Sequence, residues 1–175
     1  SQVPTIDHIT GNLSYQIAEN INGDVQVFVS LKDDGGTEFG GVDETAIQTF
    51  VISVQAVNDP PSFNLGASID LELNEDDIEN SINNWVTAIS KGPIDESNQI
   101  LSFNITSSKS DSTIFSEFPN IDENTGRIDY SIKSDYNGHA EFIVNLKDNG
   151  GTDNGGIDTS PDTTFSIWIH QVNDI

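Results

Sequence analysis

The chain has 175 residues, with 29 acidic against 6 basic side chains, a formal charge of -23, and no cysteine. That charge excludes nucleic acid as a partner, because phosphate recognition needs clustered Lys and Arg, and it disfavours an anionic membrane surface. The lack of Cys excludes disulfides, thiolate zinc sites and thiol catalysis, and no apolar run approaches the roughly 20 residues of a membrane span, so no membrane insertion is expected.

So much like charge destabilises a compact chain unless salt or bound cations neutralise it. Carboxylates are the ligands that hard divalent cations take. A chain without disulfides must find its rigidity in a core or in metal. No signal peptide is recognisable, and the chain begins with Ser; both fit a piece of a larger precursor.

The sequence repeats itself. Shifted by 115 positions, residues 1–60 fall on 116–175 without a gap, with about 26 identities. An internal period of this kind sets the architecture: residues 1–59 form the C-terminal part of a unit of about 115 residues, and 60–175 form a complete one.

In chain order, Ile6-Asp7 to Thr10-Gly11 is an Asx-type turn leading into a strand at 13–17. Val25, Val27, Val29 and Leu31 then alternate with Gln26, Phe28 and Ser30, the period of a half-buried strand. The loop LKDDGGTEFGGVD follows from Leu31, and Phe50, Ile52 and Val54 mark another strand. Val57-Asn58-Asp59-Pro60-Pro61 is a joint, its prolines stopping the strand and stiffening the exit.

Beyond the joint, strands are expected at 69–73 and 100–105. The stretch 82–90 suits a helical turn through Trp85, Ala88 and Ile89, or a strand through Trp85, Thr87 and Ile89. Ile121-Asp122 to Thr125-Gly126 repeats the first turn and leads into a strand at 128–132. Ala140, Phe142, Val144 and Leu146 repeat the alternation of the first copy. LKDNGGTDNGGID repeats its loop from Leu146, and Phe165, Ile167 and Ile169 repeat its last strand. Val172, Asn173 and Asp174 return to the joint. Many short strands with Gly-, Asn- and Asp-rich turns predict an all-β sandwich rather than a parallel α/β sheet.

The Gly-rich loops place Asp33, Asp34, Glu38 and Asp43 together in copy one, and Asp148, Asp153 and Asp158 in copy two. They are either calcium loops or elaborate hairpin loops with Asp as the turn residue. Asp33 and Asp148, at the strand ends, are better ligand candidates than the tips. Asn58 and Asp59 lie between two modules, where carboxylates from both sides would converge toward the six to eight oxygens calcium takes. Without metal these carboxylates would repel one another.

The IDENTGRI phrase at Ile121, the VNDPP joint and the LKDNGGTDNGGIDTS loop together resemble the cadherin-like tandem repeats of very large bacterial surface and secreted proteins. The resemblance spans nearly the whole repeat and implies a seven-strand, immunoglobulin-like Greek-key sandwich with calcium at the joints. It matches Asn58 and Asp59, then Asn173 and Asp174, to linker ligands. Glu75, with Asp76 beside it, matches the acidic residue near the start of a module. Asp33 and Asp148 match the Asp ending the penultimate strand, and Asp95 and Glu96 correspond loosely to an Asp-rich mid-module element. Pro60 directly after Asp59 departs from the animal pattern, and the usual Asp-Arg-Glu element has only Glu19 and Asp135 as approximate substitutes. The implied function is an extracellular calcium-stiffened spacer or adhesive module, with neighbouring repeats as its partners.

No enzyme is expected. His8, His139 and His170 face Glu123, Asp24 and Gln55 across the repeat, so none belongs to the module's common design, and no nucleophile–base set has a recognisable context. A glycan-binding module is the alternative: Trp168, alternating with Ile167 and Ile169, points outward, and Phe39 sits in a loop. Trp168 otherwise covers a sheet edge or meets a neighbouring module, and Trp85 is expected in the core. Asn12-Leu13-Ser14 and Asn104-Ile105-Thr106 fit the glycosylation triplet but carry little weight. The incomplete first copy leaves strand edges unpaired, to be completed by upstream residues or by a neighbouring chain through strand complementation.

Overall fold

A computed structural model describes residues 2–66, 70–109 and 112–173. The chain forms two compact units, Ser1–Ala56 and Val57–Ile175.

In the first unit β1 (Gln2–Ile6) pairs antiparallel with β2 (Leu13–Gln16), and β3 (Gly23–Val29) with β4 (Gln48–Val54). The second unit contains β5 (Ser62–Leu65), β6 (Asp70–Asn74), β7 (Glu79–Ile82), β8 (Val86–Ser90) and β9 (Ser102–Lys109). These are followed by β10 (Phe115–Ile121), β11 (Ile128–Ile132), β12 (Gly138–Lys147) and β13 (Thr163–His170). Its two main sheets run β10-β11-β7 and β6-β13-β12-β9, with β5 and β8 as a separate pair. The unit is an all-β sandwich, and the pairing of β6 with β13 and of β9 with β12 gives it the crossing connections of a Greek key.

The pleat explains the core. On β12, Ala140, Phe142, Val144 and Leu146 are buried while the residues between them are not. Ala140 and Phe142 stand opposite Ile167 and Phe165 of β13. Leu71 and Leu73 extend this face because β6 runs parallel to β13, with Leu71 beside Ile167 and Leu73 beside Ile169. Ile121, Ile128, Tyr130 and Ile132 face them from the other sheet in the same cluster. Phe142 stacks on Phe165 with centroids 4.8 Å apart, and Trp85 meets Phe165 edge-on at 4.9 Å. Such pairs add to what burial alone contributes. Burial pushes the Tyr130 phenol up to about 12.

The segment 82–90 is neither one helix nor one strand. β7 ends at Ile82, Asn84 turns the chain at φ 52, and β8 (Val86–Ser90) pairs with β5. Trp85 is buried at that corner. The strand expected at 69–73 runs Asp70–Asn74, its first residue lying outside the described residues. The strand expected at 100–105 runs Ser102–Lys109.

Unit one repeats this geometry position by position. Val25 and Val27 stand opposite Ile52 and Phe50, as Ala140 and Phe142 do opposite Ile167 and Phe165. The loop residues Phe39 and Asn154 both take left-handed φ, 55 and 58. Lys32 pairs with Asp43 at 3.3 Å, and Lys147 with Asp158 at 3.1 Å. What differs is burial. Leu146 is 0 % exposed and Ala140 1 %, whereas their counterparts Leu31 and Val25 are 64 % and 55 % exposed.

Candidate functional site

The site begins with local turns. Pro93 lies at the start of a single 3-10 turn, Ile94–Glu96, which holds Asp95 out in solvent and turns Glu96 inward. Gly92, at φ +118, comes so close to the Glu96 carboxylate that a Cβ there would collide with Oε2. That φ is one an L side chain rarely adopts.

Asn58 is tied to the Gly-rich loop from both sides. The Ile157 N–H donates to its backbone carbonyl at 2.9 Å, and its Nδ2 donates to the Ile157 carbonyl at 2.7 Å and to Asp148 Oδ1 at 3.0 Å. Gln99 Nε2 donates to its Oδ1 at 2.6 Å. Gly150 donates its N–H to Asp148 Oδ1 at 2.8 Å, and a Cβ on Gly150 would collide with the Asn58 amide. The Asp59 N–H donates to Glu96 Oε1 at 2.7 Å.

The structure thus brings Asn58, Asp59, Glu96 and Asp148 together, with Asp95 beside Glu96. Glu96 and Asp148 are 7 % and 4 % exposed, and each keeps one carboxylate oxygen, Oε2 and Oδ2, buried without a hydrogen-bond partner. An unpartnered buried acceptor costs free energy, and a charged one costs more. Burial pushes the Glu96 carboxyl above the usual carboxylate range. The negative charges of Asp59, Asp95 and Asp148 push the same way, against the Asp59 N–H bond. Among the described residues, no group of three or more Asp, Glu or His side chains is arranged to hold a metal ion. Asp148 Oδ1 and Glu96 Oε1 are instead occupied by protein donors.

The second set of expected ligands lies near the end of β13. The Val172 N–H donates to Glu75 Oε1 at 2.8 Å and Asn137 Nδ2 to Oε2 at 3.2 Å, so this buried acid has both oxygens engaged. Asp76 and Asn173 are exposed, and Asp174 lies outside the described residues. Asp33 is exposed in unit one and accepts the Gly35 N–H at 2.8 Å, the counterpart of the Asp148–Gly150 bond.

Asp7 and Asp122 cap their turns, each accepting the N–H groups two and three residues on. Those bonds, with the Thr10 or Thr125 hydroxyl, hold both carboxyls below the ordinary range. The turn reading of this motif accounts for its spacing.

Sequence reasoning missed Gln99, Asn137 and Gly92. Asn137 carried a signal, since Asn22-Gly23 and Asn137-Gly138 are identical across the repeat. Gln99 and Gly92 have no counterpart in copy one, so the repeat could not point to them.

No family model matches the chain, and no curated protein matches it. Among solved structures, the chain is similar to the human protocadherin-24 EC1-2 crystal structure, with a TM-score of 0.56 and 18 % identity over 97 % of this chain and 77 % of that one. That likeness supports a cadherin-like β-sandwich fold. Among the described residues no helix is long and apolar enough to cross a membrane.

Proposed function

We propose that the second unit is a calcium-binding structural repeat of an extracellular adhesive or fibrous protein, with no catalytic role. The observation that carries this reading is the pair of buried carboxylates, Glu96 and Asp148, each with one unpartnered oxygen and with Asp59 beside them. A cation would neutralise this excess charge. The hardness of the donors, all oxygen and mostly carboxylate, fits calcium better than a transition metal. Asp59, Glu96 and Asp148 would be the carboxylate ligands. Asn58 would hold Asp148 in place and is able to offer its own amide oxygen, while main-chain carbonyls and water complete the shell. In a protein built of such repeats, metal bound at each repeat end would lock the charged loops and stiffen the array. Glu75, Asp76, Asn173 and Asp174 are placed by the same reading at a second site, and Asp33 at the equivalent site of the first unit.

The test is calorimetric titration of the full chain with calcium, and separately with magnesium, at fixed ionic strength. Saturable calcium binding whose stoichiometry falls by one ion in Asp148→Asn and that magnesium does not reproduce supports the reading. No binding removes it.

Trp168 favours a second reading. Its indole is exposed on the outer face of β13 and stacks on the His139 ring, with centroids 3.8 Å apart at 21°, a flat platform of the kind on which sugars rest. Titrating the chain with oligosaccharides by calorimetry tests it. Saturation that disappears in Trp168→Ala assigns a glycan site.

A further inference from the structure

We propose that the outer face of β13 is a binding site for a cationic glycan, an oligosaccharide of amine-bearing sugars that rests on Trp168 with its ammonium groups against Glu72 and Asp70. This inference rests on the glycan reading of Trp168 and names the class of sugar.

The platform is built by strand order. β13 is an inner strand of its sheet, with β12 on one side and β6 on the other. The registers set Trp168 opposite His139 of β12 and beside Glu72 of β6. The His139 ring covers the indole from the β12 side, with centroids 3.8 Å apart. The other indole face looks toward β6, and the side chain is 43 % exposed. What it meets there is carboxylate. Glu72 lies in the same row, and Asp70 lies two residues back, beside Ser166. Both are exposed because they alternate with the buried Leu71 and Leu73. Neither β6 nor β13 contains Lys or Arg. His170 places its Nε2 3.8 Å from Glu72 Oε2, beyond hydrogen-bond reach, so the carboxylate keeps its capacity for a ligand cation.

An exposed indole attracts flat apolar faces, and its ring quadrupole attracts cations. A protonated amino sugar brings both, a C–H face for the ring and an ammonium for the acids beside it. The formal charge of -23 draws such a ligand and repels an acidic polysaccharide. Beyond Trp168 the acidic surface continues into a cleft of about 660 Å³, lined by Asp70, Glu72, Asp77, Asn80 and Asn84 among others. Its carboxylates and amides suit amines and hydroxyls, and its continuity with the platform through Glu72 favours an oligomer over a single sugar. A lysine-rich peptide carries the same cation but no flat ring for the indole.

The test is calorimetric titration of the full chain at fixed ionic strength and at a pH that protonates the sugar amine. The probes are a short glucosamine oligomer, its N-acetylated counterpart of the same length and linkage, and oligolysine of the same charge. The variants are Trp168→Ala, Glu72→Gln and, as a control for charge alone, Glu123→Gln on the turn between β10 and β11 of the other sheet. The glucosamine oligomer should saturate a site about tenfold more tightly than the acetylated one. That site should vanish in Trp168→Ala, weaken about fivefold in Glu72→Gln, and persist in Glu123→Gln. Binding that survives Trp168→Ala, or that weakens equally in Glu72→Gln and Glu123→Gln, would overturn the proposal as diffuse attraction to the chain's charge. Oligolysine binding as tightly with the same dependence on Trp168 would overturn it in favour of a peptide. Trp168-dependent binding of the acetylated oligomer at equal or higher affinity would overturn it and leave the glycan reading standing. No Trp168-dependent binding of either sugar would remove both.

Discussion

Replacing Glu96 by Gln separates a cation site from a merely buried acid. In the structure Glu96 Oε1 accepts the Asp59 N–H, while Oε2 is buried with no donor and three acidic neighbours add unfavourable charge. Glutamine keeps the acceptor, removes the charge, and turns an amide N–H₂ toward those carboxylates. A buried unsatisfied group costs about 1–3 kcal/mol, with charged groups at the upper end. Glu96→Gln is therefore expected to stabilise the metal-free chain by about 1–2 kcal/mol, or roughly 3–6 °C in midpoint for a unit of this size. With calcium at a thousandfold excess over its dissociation constant the wild type gains about 4 kcal/mol, most of which the variant forgoes. The order of midpoints reverses between chelator and calcium. Both Trp residues, Trp85 and Trp168, lie in the second unit, so Trp fluorescence during thermal unfolding reports that unit alone. A variant that is less stable in chelator and keeps the full calcium increment would refute the reasoning.

The same group sets a pH dependence. Because its folded pKa is raised, the folded state holds the Glu96 proton more tightly than the unfolded chain does. Stability in chelator should rise as pH falls from neutral through the raised value toward 4.5, while the depressed Asp122 and Asp158 lose their contribution only below 3.8. Denaturant unfolding across this range should show the rise in wild type and a smaller one in Glu96→Gln, the difference isolating Glu96 from the general relief of repulsion. In the core, Phe142→Ala should cost about 3–5 kcal/mol, since its ring is fully buried among Phe115, Phe118 and Phe165. The repeat-equivalent Val27→Ala should leave the Trp-reported midpoint unchanged.

The fold was legible because alternation and repetition reported the same thing twice. Val25, Val27, Val29 and Leu31 matched Ala140, Phe142, Val144 and Leu146 in phase, and a shared phase fixes which face is core. The stretch 82–90 was not legible, because Asn84 changes the period in mid-segment and a periodicity argument assumes one element. Asn58, Asp59, Asp95, Glu96 and Asp148 were gathered largely by the resemblance; Asn58, Asp59, Glu96 and Asp148 meet in the structure, while Asp95 stands exposed beside Glu96. What the motifs could not carry was who satisfies whom. Asn58 stands as a hydrogen-bond bridge to Asp148, and Gln99 completes the cluster from a turn with no counterpart among residues 1–60. Burial in the first unit was likewise beyond reach, since a pattern says which face wants cover and not whether cover is present.

Glu75, assigned to the second site, differs from Glu96 in having both oxygens met by protein donors. Like Glu96 it is buried, but its oxygens accept from the Val172 N–H and the Asn137 amide, and its own N–H donates to the His170 carbonyl at 3.0 Å. It fastens the end of β6 to the end of β13, where the two strands run parallel, and adds a contact to the turn before β12. Hydrogen bonds to a charged group contribute about 1.5–3 kcal/mol each, and losing the acceptor leaves the Val172 N–H with no partner. Glu75→Ala should therefore cost about 2–4 kcal/mol in chelator, the opposite sign from Glu96→Gln. The calcium increment from the Glu96 cluster should survive it. The two outcomes are separable by measuring both midpoint and calcium stoichiometry. A variant that is neutral in chelator yet binds fewer ions would make Glu75 a metal ligand first, and its hydrogen bonds a resting arrangement. A large loss in chelator with stoichiometry intact makes it a structural acid, met by its own fold and needing no ion.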